Sequence, residues 1–327
     1  MKKVLLATIA VLLLLVLTMA PALAAAPEFK VKLGHMAPES SPYQQVAEKF
    51  KEIVEKETNG RVSIQIYHSG QLGFDRALLE AMQFGTLDFG VITSSPMSNF
   101  VPAFATLDLP YLFRDWDHVE KFLTSNVYKG LLKEADKAQL VALGLLPRGF
   151  RSVTNSKRPI RTPRDMAGLR LRVIESPIYV DSFNAMGASV QAMSWGEVFT
   201  ALQQGAIDGQ ENAINTIYDE RVYEVQKYLS LTEHMFAFAT IVASKKTFDK
   251  FPADIQKILR EAGLKAALEV GKQQRKEVEA YLKKLQDKGM VVNQADRPAF
   301  RKLVQPVYDK FEQKYGDKYS KAIEGLN

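Results

Sequence analysis

The chain has no cysteine among its 327 residues. That absence removes disulfides, thiolate metal sites, cysteine nucleophiles and the attachment point of a lipoprotein's lipid. Histidine is scarce. His35, His68, His118 and His234 lie far apart and share no metal-ligand spacing, so no metal site is expected. A dominant charge is also lacking: 43 Lys and Arg face 37 Asp and Glu, a formal net charge of +6 to which Lys2 and Lys3 contribute two. The basic residues are scattered and not interleaved with aromatics, so nucleic acid is not expected as a partner. No H-E-x-x-H, Walker-type glycine loop, G-x-S-x-G or G-x-G-x-x-G occurs. Nothing therefore argues for an enzyme or a bound cofactor.

What is present begins with a leader. Lys2 and Lys3 precede an apolar run from Val4 to Leu17, and Ala22-Leu23-Ala24 supplies small residues for cleavage. The run falls short of the ~20 residues that span a bilayer, so residues 1–24 read as a cleavable signal peptide and the protein as exported to the periplasm. The remaining chain suits two domains better than one. Without disulfides it must rely on a packed core, which 46% apolar residues can supply.

The most informative stretch runs from Gly168 to Asn215. Leu169, Leu171 and Val173 alternate with Arg170 and Arg172, the period of a strand with one buried face. Pro177 stops it, and Ser176-Pro177 reads as a helix start. A second strand, Ala188–Met193, leads into Ser194-Trp195-Gly196-Glu197, an S-x-x-E capping box that opens a helix ending at Gly205. Two successive βα units imply a parallel sheet, whose ligands sit at the strands' carboxyl ends. Arg172 is near such an end; Arg170 is farther from it and reads as structural. A guanidinium can offer a carboxylate two parallel N–H donors, a geometry Lys cannot copy. The pattern alone leaves a surface or structural role for Arg172 equally open.

Elsewhere, Phe29–Gly34 and Val62–Tyr67 read as strands, and helices are expected after Ser41-Pro42, from Asp75 to Phe84 and from Asp117 to Leu132. AMQFGTLD (81–88) and ALQQGAID (201–208) share the pattern A-[ML]-Q-x-G-x-[LI]-D, which points to two similarly built α/β domains. Strands at Leu140–Leu146 and Phe236–Ala243 are expected to lead the chain between the domains. From Pro252 to Lys288 only Gly263 and Gly271 interrupt a helical pattern, long enough to span both. A final helix is expected over Pro298–Tyr315.

LRLRVIESPIYVDSFNAMGA, MSWGEVFTALQQGAIDGQEN and VYEVQKYLSLTEH, with GQLGFDRALLEAMQFGTLDF and LDLPYLFRD, resemble the extracytoplasmic solute-binding subunits of tripartite ATP-independent periplasmic (TRAP) transporters, the dicarboxylate-binding-protein family. The resemblance covers nearly the whole mature chain. It implies an α/β, two-domain, periplasmic-binding-protein-like fold with a long helix spanning both domains, residues 25–149 plus 238–277 forming domain I and 150–237 plus 278–327 domain II. It also implies capture of a small organic acid anion, a dicarboxylate or a sugar acid, by a monomer that delivers it to TRAP permease subunits. Service to a chemoreceptor or sensor kinase, or enzymatic turnover on the same scaffold, stand as alternatives. By resemblance Arg172 is the carboxylate anchor, Arg151 a second cleft arginine, Asn212 a hydrogen-bonding partner and Trp195 an aromatic against the ligand. His35, Asp75 and Thr93 border the cleft from the first domain. The sialic-acid branch carries an asparagine and a glutamate where this chain has Met36 and Thr93, which argues against sialic acid. Many relatives are uncharged at Arg148. Alternation sets Arg148 and Arg151 on opposite faces, but Gly149 can break it. If Arg148 turns inward, three guanidiniums converge and a second acidic group on the ligand is favoured.

Overall fold

The computed structural model describes residues 26–326; the leader expected over residues 1–24 lies outside the described residues. In chain order the first part comprises β1 (Phe29–His35), α1 (Pro42–Glu57), β2 (Val62–Tyr67), α2 (Asp75–Phe84), β3 (Phe89–Thr93), α3 (Ser94–Met97), α4 (Trp116–Thr124), α5 (Asn126–Lys133) and β4 (Leu140–Asn155). Then come β5 (Arg170–Val173), α6 (Pro177–Ala185), β6 (Ser189–Ala192), α7 (Trp195–Gln203), β7 (Gly209–Ala213), α8 (Ile214–Asp219) and β8 (Tyr228–Ser244). The chain ends with α9 (Lys245–Phe248), α10 (Ala253–Asp287), β9 (Val291–Gln294), α11 (Arg297–Leu303), α12 (Gln305–Tyr315) and α13 (Lys318–Glu324).

The strands lie in the order β2-β1-β3-β8-β4-β7-β5-β6, with β9 beside β8. Two βα sets flank the sheet. β1 pairs in parallel with β2 and β3, and β5 in parallel with β6 and β7, as the two-unit reading required. Between the sets run two antiparallel strands longer than expected, β4 with 16 residues and β8 with 17. The end of β8 pairs with β3 (Ala239–Ala243), and the end of β4 pairs with β7 (Arg151–Asn155). Each long strand therefore belongs to both lobes, and the lobes meet where these strands cross. Backbone polar groups at that crossing are satisfied by the ladder, so a continuous sheet can serve as the connection.

α10 is one unbroken helix of 35 residues. Its Leu259 and Ala266 join the core that holds Val31, Leu33, Phe50 and Phe89 of the first lobe. Its Tyr281 and Leu285 join the core that holds Val198, Leu202 and Ile217 of the second. The two glycines do not interrupt it. A Cβ at Gly263 would lie 2.6 Å from the Leu143 Cβ, and one at Gly144 would lie 2.5 Å from the Gly263 carbonyl oxygen. These positions are glycine because helix and strand backbones touch there.

Three local expectations fail. The helix expected over Asp117–Leu132 is two, because Ser125 leaves the helical region at φ −82°, ψ 165° and its Oγ caps α5 at the Tyr128 N–H. The helix expected over Pro298–Tyr315 is also two. Pro306 has no N–H to donate backwards and starts α12 instead. Ser194 stands at the N-cap of α7, yet its side chain makes no capping bond, so the capping box is not formed.

Candidate functional site

The carboxyl ends of β1, β3, β5 and β7 converge on one small cavity between the lobes. This is where open α/β sheets hold ligands. Arg172, second to last in β5, reaches its wall. The residue is 3% exposed. Nε and Nη2 donate to the Met193 carbonyl at 2.9 and 2.7 Å, and the guanidinium lies 5.3 Å from the centre of the Trp195 ring. Nη1 is buried and has no hydrogen-bond partner among the described residues. Burial pushes this group down to about 10, with the Glu211 charge opposing and Arg151 reinforcing. A cation is thus held in a buried wall with one donor face uncommitted.

Arg151 is committed. It is 1% exposed, and its Nε and Nη2 form a fork on the Glu211 carboxylate at 2.6 and 2.9 Å. Val153 of β4 faces Glu211 of β7 and Arg151 faces Ala213, so the pair is a cross-strand diagonal. His234 reaches the same carboxylate (Nε2 to Oε2, 3.1 Å). Since a carboxylate only accepts, Nε2 carries the proton and Nδ1 accepts from Thr232 Oγ1 at 2.8 Å. Burial alone would lower the Arg151 group, but Glu211 holds it above its ordinary value; burial alone would raise Glu211, but Arg151 holds it below. Arg151 borders the cavity as half of an ion pair.

Arg148 turns inward. Pro147 faces Phe238 and Gly149 faces Ala237, so Arg148 is the extra residue of a β-bulge, and Gly149 takes φ +110°. The bulge cancels the alternation and brings three guanidiniums to one cavity. Arg148 is already engaged: Nη1 donates to Tyr43 Oη at 2.8 Å, and Nη2 donates to Thr216 Oγ1. Its guanidinium lies 4.6 Å from the Tyr43 ring centre. It therefore ties α1 of the first lobe to α8 of the second.

Asn212, Trp195, Asp75 and Thr93 also line the cavity. Asn212 Oδ1 accepts the Ala213 N–H at 3.0 Å. Thr93 Oγ1 bonds Tyr43 Oη at 2.8 Å, and its N–H donates to Asp75 Oδ1 at 3.2 Å. Burial pushes Asp75 up to about 6. His35 is the exception and corrects the expectation. It is 1% exposed but lies off the cavity wall, where its neighbours Met36 and Ala37 stand instead. α1 packs over the end of β1, and His35 Nε2 donates to Gln44 Oε1 at 2.8 Å.

Sequence reasoning did not single out Tyr43, Glu211, Asp219 or Glu220. Glu211 was legible in principle, since D-G-Q-E-N sets it one residue before Asn212. Asp219 and Glu220 end a short helix whose orientation only the fold supplies. At the cavity mouth the Phe74 ring lies against Gly196, where an added Cβ would be 2.5 Å from Phe74 Cζ. There a residue of the first lobe touches one of the second.

A two-lobed α/β protein with an interlobe cavity and a buried, half-committed arginine is a solute-binding protein in architecture. A family model described as "Bacterial extracellular solute-binding protein, family 7" matches residues 33–314. A solute-binding protein of Verminephrobacter eiseniae is 37% identical over 82% of this chain and 80% of its own length. A TRAP periplasmic solute-binding protein from Polaromonas sp. JS666, solved with D-erythronate, superposes with TM-score 0.86 at 36% identity, covering 91% of this chain and 99% of that one. Another, from Sulfurospirillum deleyianum with bound succinate, gives TM-score 0.86 at 28% identity over 92% and 100%. The chain belongs to this family of TRAP solute-binding proteins.

Proposed function

We propose that this protein captures an organic carboxylate in the interlobe cavity, anchors it on Arg172, and delivers it to a TRAP-type permease. The observation that carries the reading is the buried Nη1 of Arg172 without a partner. A buried charge left uncompensated is costly, and a carboxylate supplies the missing charge and acceptor together. Asn212 and Trp195 border the same space and serve as hydrogen-bonding and packing neighbours of the ligand. Relatives solved with D-erythronate and with succinate, both carboxylates, support the ligand class. The protein works as an exported monomer without catalysis. Its lobes divide at 149/150, 237/238 and 277/278 and close on the ligand by hinge motion.

The test is calorimetry of the mature chain with a panel of carboxylic acids. Removing one partner of a desolvated ion pair typically costs about 2–5 kcal/mol. Arg172→Ala is expected to weaken the tightest-binding acid roughly 30-fold to several-thousand-fold. Arg172→Lys should also lose affinity, because the planar fork goes. An alanine variant within threefold of wild type overturns the anchor.

A further inference from the structure

The strand β4 turns its two faces to two different cavities. Arg151 lines the interlobe cavity, while Phe150 and Ser152 line a second cavity behind the crossing strands. Arg148, in its bulge, borders both. The second cavity holds about 360 Å³, within the ~300–1,000 Å³ of small-molecule sites. It lies where the ladder is broken. Arg151 of β4 faces Met235 of β8 and Val153 faces Ser230, so residues 231–234 stand opposite Ser152 alone on that side. Glu233 in this bulge takes φ +44°, a left-handed conformation uncommon outside glycine, and Arg297 holds its carboxylate at 2.5 Å.

The lining indicates what such a cavity would accept. Trp116, Phe150, Ile214, Leu231 and Leu282 give it an apolar, partly aromatic wall. Its partly exposed arginines are committed. Arg114 donates to the Glu324 and Leu326 carbonyls at 3.2 and 2.7 Å, and Arg275 pairs with Asp117 and Glu120 at 2.6 and 2.7 Å. Arg297 has Glu233, and both terminal nitrogens of Arg148 are engaged, so no fork remains to hold an anion. Two buried polar atoms of the lining nevertheless lack a hydrogen-bond partner among the described residues, Ser152 Oγ and Arg148 Nε. A buried hydroxyl left unpaired is costly. A hydroxyl on a neutral ligand satisfies it as donor or acceptor without taking a charge out of water.

The cavity also straddles the proposed division of the lobes. Trp116, Gly149 and Gln274 stand on one side of that division, and Phe150, Leu231 and Leu282 on the other. Because the two cavities lie on opposite faces of the crossing strands, a hinge motion that widens one narrows the other. We infer that the second cavity is an effector site for a small neutral alcohol with a ring-shaped apolar body, whose occupancy wedges the lobes toward the closed state and strengthens solute binding. Arg148 is the link, since it borders both cavities and joins Tyr43 of one lobe to Thr216 of the other. A ligand that favours one arrangement of the lobes shifts the population toward it, and the coupling is reciprocal. The coupling rests on the carboxylate reading and on lobe motion; the site itself rests on neither.

The experiment is a ligand-observed NMR titration of the mature chain with benzyl alcohol, phenol and cyclohexanol, repeated with the tightest-binding carboxylic acid at saturation. At least one alcohol is expected to bind with a Kd of about 1 mM or tighter, the range open to a ligand of so few atoms. Val278 is a half-buried residue of the lining on α10, so Val278→Trp fills the cavity and should abolish that binding. Ser152→Ala should weaken it roughly two- to tenfold. Saturating alcohol should tighten the acid about fivefold or more, and the acid should tighten the alcohol by the same factor. Small-angle scattering of the acid-free chain should give a smaller radius of gyration with the alcohol than without. No alcohol bound by a chain that melts cooperatively, or binding untouched by Val278→Trp, overturns the site. Binding unchanged by Ser152→Ala overturns the role of the hydroxyl. An acid affinity that stays the same or weakens overturns the wedge and leaves the site standing. If no acid binds, the carboxylate reading falls by itself, and a radius unchanged by the alcohol then overturns the wedge.

Discussion

The turn at 81–88 and the turn at 201–208 are built from the same parts. Thr86 N–H and Ala206 N–H return to the carbonyls of Ala81 and Ala201, each at 2.9 Å. Asp88 then accepts the Lys32 N–H of β1 at 2.8 Å, and Asp208 accepts the Arg170 N–H of β5 at 3.0 Å. Each carboxylate pins the neighbouring parallel strand in register. The strands that follow differ: β3 brings Thr93 to the cavity, and β7 brings Glu211 and Asn212 beside Arg151 and Arg172. One frame has been used twice, while Arg151 and Arg172, the latter the proposed anchor, stand in the second lobe. The first lobe contributes hydroxyls, Asp75, the Tyr43 that receives Arg148, and Arg76, which is paired with Glu80. Frame and charge are thus separable, and substitutions can show it.

The largest expected effect separates the two arginines of the charged wall. Arg151→Ala leaves Glu211 buried beside a neutral His234, and breaking such a pair typically costs about 3–5 kcal/mol of stability. Arg172→Ala removes a buried cation that no acid pairs with, so the unliganded protein should be no less stable than wild type. Chemical denaturation of both variants checks this. A loss of stability in Arg172→Ala as large as that in Arg151→Ala would make the two walls' arginines alike.

The next effect is pH dependence. Burial raises Asp75 to about 6 and Asp108 and Asp219 to about 7. The folded chain then keeps protons that the unfolded chain has released, so stability falls as pH rises from about 4 to about 7. Asp108 lies between the lobes and accepts from Ser176 Oγ at 2.9 Å. Buried His35 and His234, held below their ordinary value by burial, act in the opposite sense over the same window. The check is therefore a difference: melting temperature without ligand in Asp108→Asn is expected to fall less, or rise more, than wild type between about pH 4 and 7. An Asp108→Asn variant whose melting temperature follows the wild-type pH profile in parallel would contradict the assignment.

The smallest effect is expected at the mouth. Gly196→Ala sets a methyl against the tip of the Phe74 ring, a side chain able to shift. Affinity should drop by a few-fold with the fold unchanged, read by calorimetry beside circular dichroism. No change in affinity would mean that the ring yields freely.

Much of this frame could be read from the residues. The β1, β2 and α2 boundaries, the repeated turn, the helix through both lobes and Arg172 near a strand end follow from period, capping and turn chemistry, which are local. What could not be read depends on register. Arg148 faces inward because a bulge breaks alternation between Pro147 and Gly149. Arg151 is neutralised because β4 and β7 align it diagonally to a residue 60 positions away. His35 is hidden because α1 folds over its strand. The breaks at Ser125 and Pro306 were local signals, a cap and a proline, outweighed by an apolar stripe that continued past them.

The contact of Phe74 with Gly196 has a kinetic consequence. If a solute leaves by parting the lobes at that point, the lifetime of the complex is governed there, while the rate of capture depends on how often the lobes stand apart. Variation at the mouth can then set how long a solute is retained without altering which solute is chosen. For a carrier that must hold its cargo through diffusion and yield it on docking, retention time is as much a part of function as affinity.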